Sequence, residues 1–373
     1  MKKALFILLV LCLSFSVFAQ GASEQAATAE SAYSIAMITD SGDITDQSFN
    51  QSTYEACRDY AAAQGLKFQY YKPTGDSNEA RIASIEKAID DGFNVIVMPG
   101  YLFGAAIATT APQYPDIKFV ALDVSEGDVG GAISNVYCMV YQEEIAGYLA
   151  GYATVALGYT NLGFCGGMAV PAVIRYGYGF VQGADAAAAK LGKTGTIQYT
   201  YANQFFGDAD VTAAMDTMYA NGAEVVFACG GGVYTSVAEA AAKVGKKLVG
   251  VDVDQQPIID GKYVAGITLT SAMKGLYAST QAALKTIVED NAWDTVAGTF
   301  ATLGLVSGTD MDANFVGIPT GDGTQWSDSF TFEDYKAVVN DIYTGKIAVK
   351  NDTSVAVTSF TSVLAVKDLG NIK

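Results

Sequence analysis

Three carboxylates, a hydroxyl, a ring and an amide crowd one short stretch of this chain: Asp40, Asp43, Asp46, Ser48, Phe49 and Asn50. Ionised carboxylates only accept hydrogen bonds, whereas an amide donates and accepts. The stretch therefore suits a neutral ligand rich in hydroxyl or N–H groups, with a flat face for Phe49. It has no glycine pattern for phosphate and no lysine. The plainer alternative is a helix N-cap loop with an ordinary buried phenylalanine, which any one of these residues alone would favour. Further on, Asp123 and Asp252 each end an apolar run, Gly230-Gly231-Gly232 follows a third, and Lys274 follows a fourth. The triple glycine lacks the ending and spacing of a nucleotide-binding loop and reads as a tight turn with close backbone approach. Asp252 is placed to accept from vicinal hydroxyls, while Asp254 suits a helix cap. Asp123 carries both readings. Lys274 is either a cation set against Asp252 in a cleft or a surface lysine.

These residues stand at the joints of a regular alternation. A short apolar run at 33–38 reads as a strand buried on both faces, and 52–64 as a helix stopped by Gly65. Strands at 68–71, 95–98 and 119–122 alternate with helices at 78–90 and 104–110. From about residue 133 the rhythm restarts: helix 143–157, strand 161–165, helix 172–191 despite Gly177, Gly179 and Gly183, and strand 197–201. Helix 209–220, strand 225–228, helix 237–244 and strand 248–251 follow, then late strands at 303–306 and 315–318 and a helix at 332–343. Short apolar strands alternating with helices predict parallel, right-handed, doubly wound sheets, which hold ligands beyond their C-terminal strand ends. Two such series predict two lobes, 33–133 with 266–310 and 134–265 with 311–373. Several chain crossings would join them, the third at a position the sequence leaves open.

Composition narrows the function. Lys2 and Lys3 precede an apolar run at 4–13, and Val17-Phe18-Ala19 resembles a cleavage site, which predicts an export leader over residues 1–19. The run is too short to span a bilayer, so a periplasmic or extracellular protein is expected. A lipid anchor at Cys12 is the lesser alternative, because Leu11 is bulkier than the small residue such sites carry. Residues 20–32, rich in Ala, Ser and Glu, read as a disordered tether. A net charge of −17 argues against nucleic acid and anionic lipid as partners. Cys57, Cys138, Cys165 and Cys229 are widely spaced within apolar sequence, matching no zinc pattern and reading as buried thiols. The chain contains no histidine, which removes Ser-His-Asp and Cys-His catalysis and histidine-ligated metals. No catalytic residue, metal or cofactor is expected.

Six segments, taken in order, resemble the basic membrane protein (BMP), or PnrA-like, family of ABC-importer substrate-binding proteins. They are GDITDQSFNQ (42–51), YPDIKFVALD (114–123), EEIAGYLAG (143–151), GFCGGMAVPAVIRYGYGFVQG (163–183), GVDVDQ (250–255) and LTSAMK (269–274). The resemblance implies a type I periplasmic-binding-protein fold, with two doubly wound parallel-sheet lobes that close on ligand about a hinge. It implies that Phe49 stacks on a base, and that an aromatic from the Phe205-Phe206 pair, with Phe206 preferred, covers the other face. Asn50 and Asp123 would read the base edge, and Asp252 and Lys274 would hold ribose hydroxyls. Backbone near Gly231 would approach the sugar, and Asp40 would join either group. The chain departs from the family where it has Asn203-Gln204-Phe205-Phe206 in place of Gly-Ser-Phe. It also has Tyr176 for a phenylalanine, and Tyr234 after the glycine loop. The implied function is capture of a purine nucleoside (inosine, adenosine or guanosine) by a monomer that delivers it to an ABC permease. Three rivals are a sugar or other small polar ligand on the same fold, a nucleoside-cleaving enzyme using Asp40 to Asp46, and a surface-anchored interaction protein.

Overall fold

Strand β1 (Ser34–Ile38) shows how the architecture arises. Its side chains alternate: Ile35 and Met37 enter one apolar cluster with Cys57 and Tyr60, while Ala36 and Ile38 enter another with Ile85 and Ile107. A strand apolar on both faces requires helices on both. The structure, a computed structural model, describes residues 32–372. The predicted leader, Cys12 and nearly all of the predicted tether lie outside the described residues.

In chain order the first series continues with α1 (Phe49–Gln64), β2 (Lys67–Tyr71), α2 (Asn78–Asp90), β3 (Val95–Pro99) and α3 (Gly104–Thr110). It ends with β4 (Lys118–Leu122), the single turn α4 (Glu126–Val129) and β5 (Val136–Tyr141). The second comprises α5 (Glu143–Ala156), β6 (Asn161–Gly166), α6 (Pro171–Leu191), β7 (Gly195–Tyr201) and α7 (Ala209–Ala220). It goes on through β8 (Val225–Cys229), α8 (Tyr234–Val244), β9 (Lys247–Asp252), α9 (Gln256–Lys262) and β10 (Thr268–Lys274). Then come α10 (Leu276–Val288), β11 (Thr299–Leu303), β12 (Val316–Gly317), α11 (Phe332–Tyr343) and β13 (Leu364–Asn371). Six strands pair in the order β11-β5-β4-β3-β1-β2, and seven in the order β12-β10-β9-β8-β6-β7-β13. β12 runs antiparallel to β10, whereas the β1–β3, β3–β4, β6–β8 and β8–β9 pairs are parallel.

Two predicted lobe boundaries need correction. β5 pairs with β4 in the first sheet, although the second lobe was expected from residue 134. β10, expected with the first lobe in 266–310, pairs with β9 in the second sheet. The chain therefore passes between sheets after β5, after β10, and between β11 and β12. Neither of the first two passages interrupts the strand–helix rhythm: Gln142 alone joins β5 to α5, and Gly275 alone joins β10 to α10. The three passages are bonded to one another. Gln142 N–H donates to the Leu303 carbonyl at 2.9 Å, Gly275 N–H to Phe315 at 2.7 Å, and Phe315 N–H to Gly304 at 3.0 Å. The late strand expected at 303–306 forms earlier, as β11, and β13 was not anticipated.

Glycines inside α5 and α6 are explained by their contact. A Cβ on Gly147 or Gly151 would overlap the carbonyls of Tyr176 or Phe180, and one on Gly179 or Gly183 those of Glu144 or Tyr148. Backbone-to-backbone approach offsets the loss of helix propensity that each glycine brings. This packing brings the N-terminal ends of both helices to the space between the sheets. Cys57, Cys138, Cys165 and Cys229 are buried free thiols. Among the described residues no helix is long and apolar enough to cross a membrane.

Candidate ligand-binding site

The C-terminal strand ends of both sheets meet at one cavity, the place where open α/β sheets hold their ligands. The first sheet supplies Asp40 after β1, Gly100 after β3 and Asp123 after β4; the second supplies Cys229, Asp252 and Lys274 at the ends of β8, β9 and β10. Phe49 enters from the start of α1, Tyr176 from α6, and Phe205 from the loop between β7 and α7.

The loop before α1 braces itself. Asp46 accepts from the backbone N–H groups of Ser48 at 2.9 Å, Asn50 at 2.9 Å and Gln51 at 3.1 Å, satisfying donors that a helix start leaves open. Burial nevertheless pushes its carboxyl up to about 6. The Asn50 amide donates to Asp46 Oδ2 at 3.0 Å and to Asp40 Oδ1 at 2.9 Å. Its Oδ1 accepts from the Asp40 N–H at 3.2 Å. Both amide donors are thus engaged, and only the carbonyl oxygen keeps accepting capacity. Burial raises Asp40 as well, against hydrogen bonds from Gly42 and Asn50.

Asp123 and Asp252 occupy matching positions, each with a left-handed backbone, φ +59° and +66°. Such a conformation costs a residue with a Cβ about 1–3 kcal/mol and gathers at functional sites. Between them lies Lys274, whose Nζ is 2.5 Å from Asp123 Oδ2, 3.3 Å from Glu143 Oε1 and 3.9 Å from Asp252 Oδ1. Burial alone would lower Lys274, but the three carboxylates outweigh it and raise it, so the ammonium stays charged. The same ammonium sits 4.6 Å from the centre of the Phe49 ring. Burial pushes Asp123 up to about 7 while Lys274 pulls the other way. Asp123 Oδ1 is buried with no hydrogen-bond partner among the described residues, which leaves an acceptor for a ligand donor. Asp252 accepts from the Ser48 hydroxyl at 2.5 Å and the Tyr176 hydroxyl at 3.4 Å. Burial raises it, with Lys274 and Ser48 opposing.

Asp40, Phe49, Asn50, Asp123, Gly231, Asp252 and Lys274 all line the cavity. Phe206 does not. It is 57% exposed, and Phe205 lines the cavity in its place. Asn203 is left-handed at φ +59°, and Gly232 N–H ties down the Phe205 carbonyl at 2.9 Å, so the two neighbouring rings take opposite sides. The Phe205 ring rests on Gly167, where any side chain would overlap it. Tyr234 stays out of the cavity and packs among Val211, Met215 and Val237. Asp254 accepts from Gln256 N–H at 3.1 Å, a local Asx turn, and the cap expected of it does not form, because Gln255 is the residue that precedes α9. Ser48 was expected only as one hydroxyl of the loop, and Glu143 and Arg175 were not expected at the site. The last two are charged residues inside apolar segments, EEIAGYLAG and VIRYGYGF, and that is the usual mark of a buried ion pair.

Two doubly wound lobes whose strand ends share a cavity define a type I periplasmic-binding fold, the architecture of many solute-binding proteins. A solved solute-binding protein of an ABC transporter system from Aeropyrum pernix K1 has the same fold, with a TM-score of 0.65 at 21% identity over 88% of this chain and 90% of that one. Residues 33–352 match the family described as "ABC transporter substrate-binding protein PnrA-like" (Bmp). The chain belongs to that family and is a substrate-binding protein of an ABC transporter. It is 29% identical over 278 residues to the "ABC transporter nucleoside-binding protein BmpA" of Lactococcus lactis subsp. cremoris, covering 71% of this chain and 75% of the relative. It is also 25% identical over 319 residues to "Basic membrane protein B" of Borreliella afzelii, covering 83% and 87%. Membership of the family implies a small ligand and a permease partner.

Proposed function

We propose that the cavity binds a purine nucleoside (inosine, adenosine or guanosine) and that the protein releases it unchanged to an ABC permease. The observation that carries this reading is a ring from each lobe, Phe49 and Phe205, on a cavity that also holds Asp123, Lys274 and Asp252. Aromatic rings suit a base. A carboxylate beside an ammonium suits vicinal ribose hydroxyls, since one accepts and the other donates. The partnerless Asp123 oxygen suits an N–H on the base edge. Asn50 offers a ligand only its carbonyl, so its main effect is to hold Asp40 and Asp46 in place. The name of the Lactococcus relative supports the same ligand class. The protein acts as a monomer outside the cytoplasmic membrane, exported by the leader at 1–19.

The test is calorimetry on mature protein that has been unfolded and refolded to strip carried-over ligand. Inosine, adenosine, guanosine, cytidine, uridine and ribose are titrated separately. One-to-one binding of the purine nucleosides with ribose silent is expected. Tight ribose binding, or release of free base during incubation, would overturn the reading in favour of a sugar receptor or a hydrolase.

A further inference from the structure

We propose that Arg175 and Glu143, neither of which lines the cavity, are positioning residues for Lys274. Their ion pair holds the lysine ammonium between Asp123 and Asp252, where it meets a ribose hydroxyl. The inference rests on the nucleoside reading above.

Glu143 is the first residue of α5 and lies directly after the first chain passage. Its side chain is completely buried, and its two oxygens face different cations. Oε2 accepts from Arg175 Nε at 2.7 Å, and Oε1 lies 3.3 Å from Lys274 Nζ. Arg175, on the second turn of α6, has a side chain only 18% exposed. Lys274 is therefore held from behind by Glu143 and from the cavity side by Asp123 and, more distantly, Asp252.

Charge balance explains why the pair is present. Asp123, Asp252 and Glu143 are opposed by Lys274 and Arg175, and replacing Arg175 with an apolar residue sets three carboxylates against one cation. In the native chain Arg175 and Lys274 overcome burial and hold Glu143 below the ordinary carboxylate range. Other charged groups around the pair are Glu144 beside it on α5 and Asp123 at the end of β4, both felt by Arg175. Tyr141 and Tyr176 flank the ammonium with ring centres 5.2 and 5.7 Å away. Without Arg175, a desolvated Glu143 takes up a proton and stops anchoring Lys274. The ammonium then collapses onto Asp123, already its nearest partner, and withdraws from the sugar end of the cavity. Stability alone does not call for such a pair, since apolar residues of similar volume replace buried ion pairs without loss.

The test compares inosine with 2′,3′-dideoxyinosine, which lacks the hydroxyls that Lys274 would meet. Calorimetry is run on wild type, Arg175→Met, Arg175→Lys and the double variant Glu143→Gln/Arg175→Met. Arg175→Met is expected to bind inosine about 10- to 100-fold more weakly and dideoxyinosine as wild type does, with Arg175→Lys restoring most of the loss. The double variant leaves no unpaired carboxylate behind. It folds even if the single variant does not, and it is expected to show the same selective loss. Equal losses for both ligands, or none, would overturn the positioning role. If wild type prefers inosine over the dideoxy ligand and the variants keep that ratio, the positioning role alone fails. If wild type binds neither, the nucleoside reading fails and takes this inference with it.

Discussion

Phe49 carries two interactions on one ring, a cavity wall and a cation 4.6 Å from its centre. Base–aromatic stacking contributes about 1–3 kcal/mol, so Phe49→Ala is expected to weaken purine nucleoside binding about 10- to 100-fold while leaving the fold intact. Unchanged affinity in calorimetry would mean that the ring does not stack on the ligand. Phe205→Ala should cost affinity in the same way, and Phe206→Ala should not. That contrast marks where sequence reasoning stopped at this scale. The two phenylalanines are neighbours in an irregular loop, and only the backbone at Asn203 and Gly232 decides which one turns inward. Asp123, Asp252 and Lys274 were legible because strand ends in this architecture point at the ligand. Arg175 and Glu143 were not, because nothing in a linear pattern pairs two helices.

Glu144 illustrates a different residue-scale cost. Burial, with Glu143 adding repulsion, pushes its carboxyl up to about 7 from an ordinary 4.5. Asn351 reaches Oε1 at 3.3 Å, and Oε2 is buried without a partner among the described residues. A folded value above the unfolded one means that its stabilising contribution is complete below pH 4.5 and is lost as pH rises through 7. Glu144→Gln is therefore expected to gain about 3 kcal/mol at pH 8 and much less at pH 5. Thermal melts at the two pH values check this, and an equal shift at both would contradict it.

At the scale of elements, the α5–α6 contact is the joint that aligns the site, because Glu143 starts one helix and Arg175 and Tyr176 lie near the start of the other. Gly183→Ala drives a methyl into the Tyr148 carbonyl, and overpacking of this kind costs about 1–3 kcal/mol. A lower denaturant midpoint together with weaker ligand binding is expected; a midpoint equal to wild type would show that the helices part freely. The alternation of apolar runs placed most strands and helices within a residue or two. It could say only that the glycines of α6 were tolerated, since the reasons lie on other elements: α5 for Gly179 and Gly183, and the Tyr199 and Phe164 rings for Gly177. It also missed β13, an edge strand whose exposed residues carry no clear alternation.

At the scale of the molecule, polar contacts around the cavity reach from one lobe to the other. Gln255 Nε2 donates to the Gln47 carbonyl at 2.9 Å, Ser48 to Asp252 at 2.5 Å, and Lys274 to Asp123 at 2.5 Å. Gln255 is fully buried, and its other side-chain atom is fixed by Val251 N–H at 2.9 Å, so its donor is aimed across the cleft. Gln255→Ala is expected to enlarge the ligand-free radius of gyration in small-angle scattering, and saturating nucleoside should restore it. No change without ligand would show that this contact does not help hold the lobes together.

The three bonded passages near Gln142, Gly275 and Phe315 have a consequence for how such a receptor changes over generations. Each lobe is assembled from two separated stretches of chain, in the order first, second, first, second. A single exchange point along the chain can therefore never replace one lobe alone, because whatever lies beyond it always carries part of the other lobe or leaves part of the same lobe behind. Single substitutions at cavity-lining positions, such as Phe205 in the β7–α7 loop or Tyr176 on α6, reshape the cavity while leaving the strand pairing of both sheets in place.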